Sequence, residues 1–249
     1  RSGPIANTPR GRLAMSYDIL LGYTGIVSFG HAMFFGLGAY STSVMLKNLD
    51  STLLNFFLSI IVGMVFAAVL SFLIGLITLR LQSHFFAMFT LAVSGLFLVA
   101  AEKWRSLTQG NDGFTFRAPE IFADRTMFYL FVLICLVLTF LFLRLFVQSP
   151  FGKVLIAVKE NETRTKALGF KTIYYKVIAS VVAGVVASLA GSLYVVSLRF
   201  VNTSVMALDM TLNALLMTII GGVGTLVGPI IGAAIIELAK HNLSILAKT

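Results

Sequence analysis

Apolar residues run along this chain in six long blocks, and the short stretches between them hold most of its charge. A hydrocarbon core about 30 Å thick is crossed by ~20 apolar residues in a helix. The blocks are Leu13–Leu46, Leu53–Leu79, His84–Ala101, Met127–Val147, Val177–Leu198 and Leu212–Ile236. The third is short but unbroken, and the fourth is the most uniformly apolar. This pattern predicts an all-α polytopic membrane protein, a helical bundle with broken or re-entrant segments, in a single transmembrane domain over residues 1–249. The breaks are expected in the first and last blocks. The first contains "GYTGIVSFGHAMFFGLGAY" (22–40), with five glycines. The last is interrupted by "GGVGTLVGP" (221–229).

Small residues recur at helical spacing. Ala179, Ala183, Ala187 and Gly191 form one stripe, and Ser180, Gly184, Ser188 and Ser192 form the next. Gly63, Ala67, Ser71 and Gly75 repeat the device in the second block, and Gly224, Gly228 and Gly232 in the last. Small residues four apart let helix backbones approach, so that van der Waals contact and interhelical hydrogen bonds replace the missing hydrophobic drive. A compact bundle is predicted.

Composition sharpens the class. Of 249 residues 58% are hydrophobic and 12% charged, with a mean hydropathy of +0.94. A soluble domain cannot hide that much apolar surface. The net charge of +9 does not point to nucleic acid, because the basic residues sit between apolar spans, where they report orientation. The connection 148–176 holds six bases (Lys153, Lys159, Arg164, Lys166, Lys171, Lys176) against two acids, whereas 102–126 holds four of each. That places 148–176 in the cytoplasm and 102–126 outside. One crossing per block then puts residues 1–12 and the C-terminal tail inside, with thirteen of nineteen bases, counting Arg80 and Arg144. Cys135, in the middle of an apolar run, reads as a buried structural thiol. The opening "RSGPIANTPRGRLAM" has neither a start methionine nor a signal-peptide pattern, which reads as an internal fragment or a trimmed chain.

What the sequence lacks matters as much. It has no G-x-x-x-x-G-K-[ST] phosphate loop, no H-E-x-x-H and no G-x-S-x-G, and His31, His84 and His241 are far apart. No catalytic or metal site and no cofactor is expected, and any hydrolysis that drives the protein belongs to another subunit. The spans are nearly bare of ionisable groups: Asp18, Arg144 and Glu237 lie near segment ends, and His31 alone lies deep. Glycine-exposed backbone and hydroxyls are then the candidates for lining a path. They are Gly22, Thr24, Gly25, Ser28, Gly30 and His31 in the first block, and Gly221, Gly222 and Gly224 in the last. Close helix packing explains the same glycines, and a packed structural histidine explains His31.

The connection "QSPFGKVLIAVKENETRTKALGFKTIYYK" (148–176) is neither random nor of low complexity. Ser149 is placed to cap a helix with Pro150 at its first position, and Gly169 to end one. Val154, Leu155, Val158 and Leu168 are apolar, while Lys159, Glu160, Glu162, Arg164 and Lys166 are charged. The pattern predicts a short amphipathic helix beside the membrane. Such a helix lies on lipid headgroups or fits a groove on a soluble partner.

These motifs together carry a resemblance. "GYTGIVSFGHAMFFGLGAY", "TLRLQSHFFAMFTLA", "SLTQGNDGF", "SPFGKVLIAVKENETRTKALGF" and "GGVGTLVGPIIGA", in that order, resemble the permease subunits of branched-chain amino acid ABC importers. The M-type (LivM-like) subunit is the better match, over about residues 16–240. The resemblance implies a bundle similar to ribose-importer permeases and a bacterial or archaeal inner-membrane location. It implies pairing with a second, H-type permease, two cytoplasmic ATPase subunits and an extracytoplasmic substrate-binding protein, in contact with membrane lipid and with no nucleic acid. It implies that Gly152, Lys153, Val154, Val158, Lys159, Glu160, Glu162, Arg164, Ala167 and Gly169 belong to the segment that couples to the ATPase, which favours docking over the lipid surface. Family members carry further spans at both ends, so this chain is either truncated or divergent. Where they have a "TGGxNG" type of loop this chain has "TQGNDG", with Gln109 in place of a glycine. Related permeases carry urea or short amides. Outside this family, a passive channel for a small neutral solute or a non-catalytic scaffold are the other readings.

Overall fold

The computed structural model describes residues 7–78, 83–122 and 124–246. Arg1, Arg80 and Lys248, which enter the orientation count, lie outside them. The described residues form helices almost throughout. These are α1 (Asn7–Asp18), α2 (His31–Asn48), α3 (Leu53–Thr78), α4 (Ser83–Lys103), the single turn α5 (Arg105–Thr108), α6 (Arg125–Gln148), α7 (Pro150–Glu160), α8 (Glu162–Ala167), α9 (Thr172–Leu198), α10 (Leu208–Gly221) and α11 (Gly228–Leu246). Two short strands, β1 (Phe114–Thr115) and β2 (Phe200–Val201), pair antiparallel and tie the 104–124 connection to the end of α9.

Among the described residues, four helices are long and apolar enough to cross a membrane: Leu53–Ile77, Phe85–Lys103, Thr126–Gln148 and Thr172–Leu198. They differ in what they face. In α9, 67% of an apolar 18-residue stretch is buried, against 22–33% of such stretches in the other three. Helix α9 is therefore the central post, and α3, α4 and α6 turn leucine, phenylalanine and valine outward, as a lipid-facing surface does.

The small-residue stripes explain how α9 is gripped. Gly38 of α2 lies against the Ser188 backbone, and Gly191 against the backbone of Phe35 and Ala39. Ser192 donates to the Gly38 carbonyl at 3.0 Å, and the Ser71 and Ser180 hydroxyls meet at 2.9 Å between α3 and α9. Backbone meets backbone across these helices, and hydroxyls supply the interhelical hydrogen bonds.

The first and last blocks each hold two helices rather than one crossing. Helix α1 runs on through a wide π-turn (Ile19–Thr24), and the chain reverses at Gly25, whose φ of +70° is left-handed backbone open to glycine. Residues 26–30 then run back without helical hydrogen bonds to α2. Their polar backbone is met by protein: Phe29 N–H donates to Thr90 Oγ1 at 3.2 Å, and the Phe29 carbonyl accepts from Thr211 Oγ1 at 3.4 Å. Helices α10 and α11 form the second hairpin, turning at 222–227. These reversals correct the one-crossing count. Arg10 donates to the Tyr194 hydroxyl at 3.2 Å, near the end of α9 remote from α7, so it does not lie at the α7 end. Helix α11 likewise runs away from the α7 end, and residues 247–249 of the tail lie outside the described residues.

Candidate functional site

One end of the bundle gathers the π-turn of the first hairpin, the turn of the second, and α7 with α8. Ser149 builds α7 as its sequence suggests: its hydroxyl accepts from Gly152 N–H at 3.3 Å, and Pro150 occupies the first turn. The helix buries Gly152, Leu155 and Val158. A Cβ on Gly152 would strike the Val147 carbonyl, which keeps α7 tight against the end of α6. Phe146, Phe151 and Tyr175 stack in sequence at 5.2 and 4.8 Å between centroids, joining α6, α7 and α9.

The amphipathic segment is two helices. Asn161 is extended (φ −158°, ψ 96°), and its Oδ1 accepts from Arg164 N–H at 2.8 Å, capping α8. That break turns the face: Leu168 does not continue the buried row of Leu155 and Val158 but is 71% exposed. Gly169 is left-handed at φ +90°. The outer surface of this end carries Lys153, Ile156, Lys159, Glu160, Arg164, Lys166, Ala167, Leu168 and Tyr174, with Val154 at its margin. Lys171 sits 5.9 Å over the Tyr174 ring. Basic and apolar groups thus share one projecting surface.

Glu162 ties α8 to α9. It accepts from Lys176 at 2.7 Å and from Thr172 at 3.1 Å, and pairs with Lys166 at 2.9 Å. Partial burial alone would raise its pKa, but the lysines outweigh burial and hold the carboxyl down at about 2. A carboxyl lowered from 4.5 favours the fold fully above about pH 4.5, and that help is lost only as the pH falls through about 2. Glu162→Gln is expected to raise the rate of limited proteolysis at 161–171 severalfold at neutral pH, in line with the ~1 kcal/mol that such pairs contribute. An unchanged rate would show that the tie is idle.

Behind α7 the two hairpin turns are knotted together. Asp18, fully buried, accepts from Gly224 N–H at 2.6 Å through one oxygen and from Leu226 N–H at 3.1 Å through the other. Tyr23 donates its hydroxyl to the Gly224 carbonyl at 2.8 Å. Lys159 reaches in from α7 and donates to the Gly22 carbonyl at 2.7 Å, its stem crossing the Gly25 turn.

The path candidates separate accordingly. Gly22 and Gly224 touch in the knot, with Gly222 in the same turn, and Gly221 lies against the Gly228 carbonyl. Thr24 donates back to Leu20 at 2.6 Å, and Ser28 accepts from Gly30 N–H at 3.3 Å, so both hydroxyls serve local backbone. Gly30 backs onto Thr90. His31 is fully buried, edge-on to Tyr17 (5.1 Å) and Phe34 (6.2 Å). The Ser16 carbonyl lies against its ring, yet neither ring nitrogen meets hydrogen-bond geometry among the described residues. Asp18, Tyr23 and the inward reach of Lys159 were missed by sequence reasoning. Asp18 stood out in the sequence only as an acid near a segment end, and its partners in the 222–227 turn are more than two hundred residues away. Among the described residues no cluster of histidine, cysteine or carboxylates could hold a metal ion.

A hairpin pair knotted behind an amphipathic segment is the architecture to compare. Residues 9–249 match the family described as "Branched-chain amino acid transport system / permease component". The chain belongs to this family. This branched-chain permease family member is 24% identical, over 94% of its length, to a probable branched-chain amino acid transport permease protein LivM of Methanocaldococcus jannaschii, of which it covers 78%. It is 22% identical, over 92% of its length, to the high-affinity branched-chain amino acid transport system permease protein LivM of Escherichia coli K12, and spans 60% of that protein. A shorter match, 31% identical over 40% of the chain and 31% of the relative, is to the autoinducer 2 import system permease protein LsrC of Photorhabdus laumondii. No solved structure matches it. The permease is thus an all-α, multi-pass membrane protein of a transport family.

Proposed function

We propose that this chain is an inner-membrane permease subunit of an ATP-binding-cassette importer for branched-chain or related amino acids. It forms one permease domain, binds no cofactor of its own and shares the path with a second permease. ATP hydrolysis occurs in two cytoplasmic subunits, and an extracytoplasmic binding protein delivers the substrate. The observation that carries this reading is the α7–α8 surface. A helix resting on lipid would bury its apolar side chains in the membrane. Here the apolar row of α7 is spent on the bundle, while Leu168 and Tyr174 project among lysines and an arginine. Six bases against two acids in the 148–176 connection support a cytoplasmic position for this end.

Reconstitution of the chain with its partner permease, ATPase and binding protein in proteoliposomes tests the proposal. Labelled leucine is expected to accumulate above its outside concentration only with ATP. Accumulation should stop when the phosphate-loop lysine of the ATPase is replaced. Equilibration without ATP would establish a passive channel instead, and uptake of urea but not leucine would reassign the substrate.

A further inference from the structure

The knot between the hairpin turns has a property that ordinary packing lacks. Leu226 is in the left-handed region, with φ +57°, although it is a bulky residue and not glycine. Such backbone is strained for an L-residue and persists only where surroundings impose it. Two contacts impose it here. The Leu226 side chain is buried in the same apolar cluster as Ile19, Leu20, Tyr23 and Leu155. Its N–H is held by Asp18, whose other oxygen holds Gly224. A carboxylate that accepts two backbone N–H groups makes charge-assisted bonds, which are stronger than neutral ones. Lys159, from the helix at the proposed ATPase surface, donates to the carbonyl of Gly22, the residue packed between Asp18 and Gly224. One side chain thus pins a strained turn, and the coupling helix reaches the same point.

We propose that Asp18 is a positioning residue for transport: it latches the 222–227 turn against the π-turn at Gly22, closing the α7 end of the bundle, and movement of α7 through Lys159 releases it. This rests on the ATP-coupled reading above. Release has a defined direction, because Leu226 relaxes toward ordinary backbone once its N–H is let go. On this proposal the turn has two states, held and released, as coupling between distant sites requires.

The test uses the assembled complex with Cys135→Ala and Val223→Cys, a position 40% exposed in the turn. Inside-out vesicles are labelled with a membrane-impermeant maleimide. Without nucleotide, Asp18→Asn is expected to label at least about tenfold faster than its parent, the shift that losing one charge-assisted hydrogen bond brings. Substrate moved per ATP hydrolysed should fall by a similar factor. A merely structural role would lower the amount of complex but change neither ratio. If Asp18→Asn does not accumulate, Lys159→Met reads the same knot from the exposed side and should also label faster. Equal labelling and an unchanged ratio in whichever variant assembles would overturn the latch. Lack of ATP dependence in the parent would instead overturn the importer reading, while nucleotide-free labelling still reports on the latch.

Discussion

Gly191→Leu is expected to leave little or no folded protein in the membrane. A Cβ at Gly191 would run into the Phe35 carbonyl oxygen, with the Phe35 carbonyl carbon at 2.8 Å and the Ala39 nitrogen at 3.2 Å. Overpacking costs ~1–3 kcal/mol where side chains can yield. Here the obstacle is helix backbone, so α2 must separate from α9. That separation would also pull the Ser192 hydroxyl from the Gly38 carbonyl. Domains carry only ~5–15 kcal/mol of stability, and α9 is the post on which α2 and α3 both rest. Size-exclusion chromatography of the detergent extract reads the outcome. Gly95→Leu is the control: that glycine, in α4, has nothing within 4 Å of a Cβ, and the monodisperse peak should survive. Equal behaviour of the two variants would show that the contact between α2 and α9 is looser than described.

The second large effect concerns the surface of α7 and α8. Lys153→Glu, Arg164→Glu and Leu168→Glu together are expected to cut co-purification of the ATPase at least about tenfold, since interface centres lose ~2 kcal/mol or more per key residue. All three side chains are exposed, and none joins the row of Gly152, Leu155 and Val158 that seats α7. The bundle should therefore fold normally, and the loss should be confined to assembly. If ATPase retention matched the parent, docking would lie elsewhere. Gly152 and Val158, which the family resemblance places in the coupling segment, face the bundle and are better understood as seating the helix.

The fold class was legible because it depends on summed properties: apolar blocks long enough to cross a bilayer, and small residues at spacing four. Ser149 with Pro150 marked the start of α7 for a local reason, since capping is decided within one turn. What was not legible depends on tertiary geometry. Periodicity alone could not show that Asn161 would leave the helix to cap the next one and so turn Leu168 outward. Counting crossings failed where glycines allowed a reversal inside one apolar block, because hydropathy is the same for one span and for a hairpin. Asp18 was noticed only as an acid near a segment end. Its partners lie more than two hundred residues away, and no local pattern announces them.

In the proposed function an ATPase bears on the permease at this end of the bundle. A photo-crosslinking amino acid at Leu168, introduced into the complete complex in native membranes, tests it most directly. An adduct with the ATPase subunit is expected, lost on its removal. Adducts with lipid alone would contradict it and make α7 and α8 an interfacial element of a protein driven in some other way.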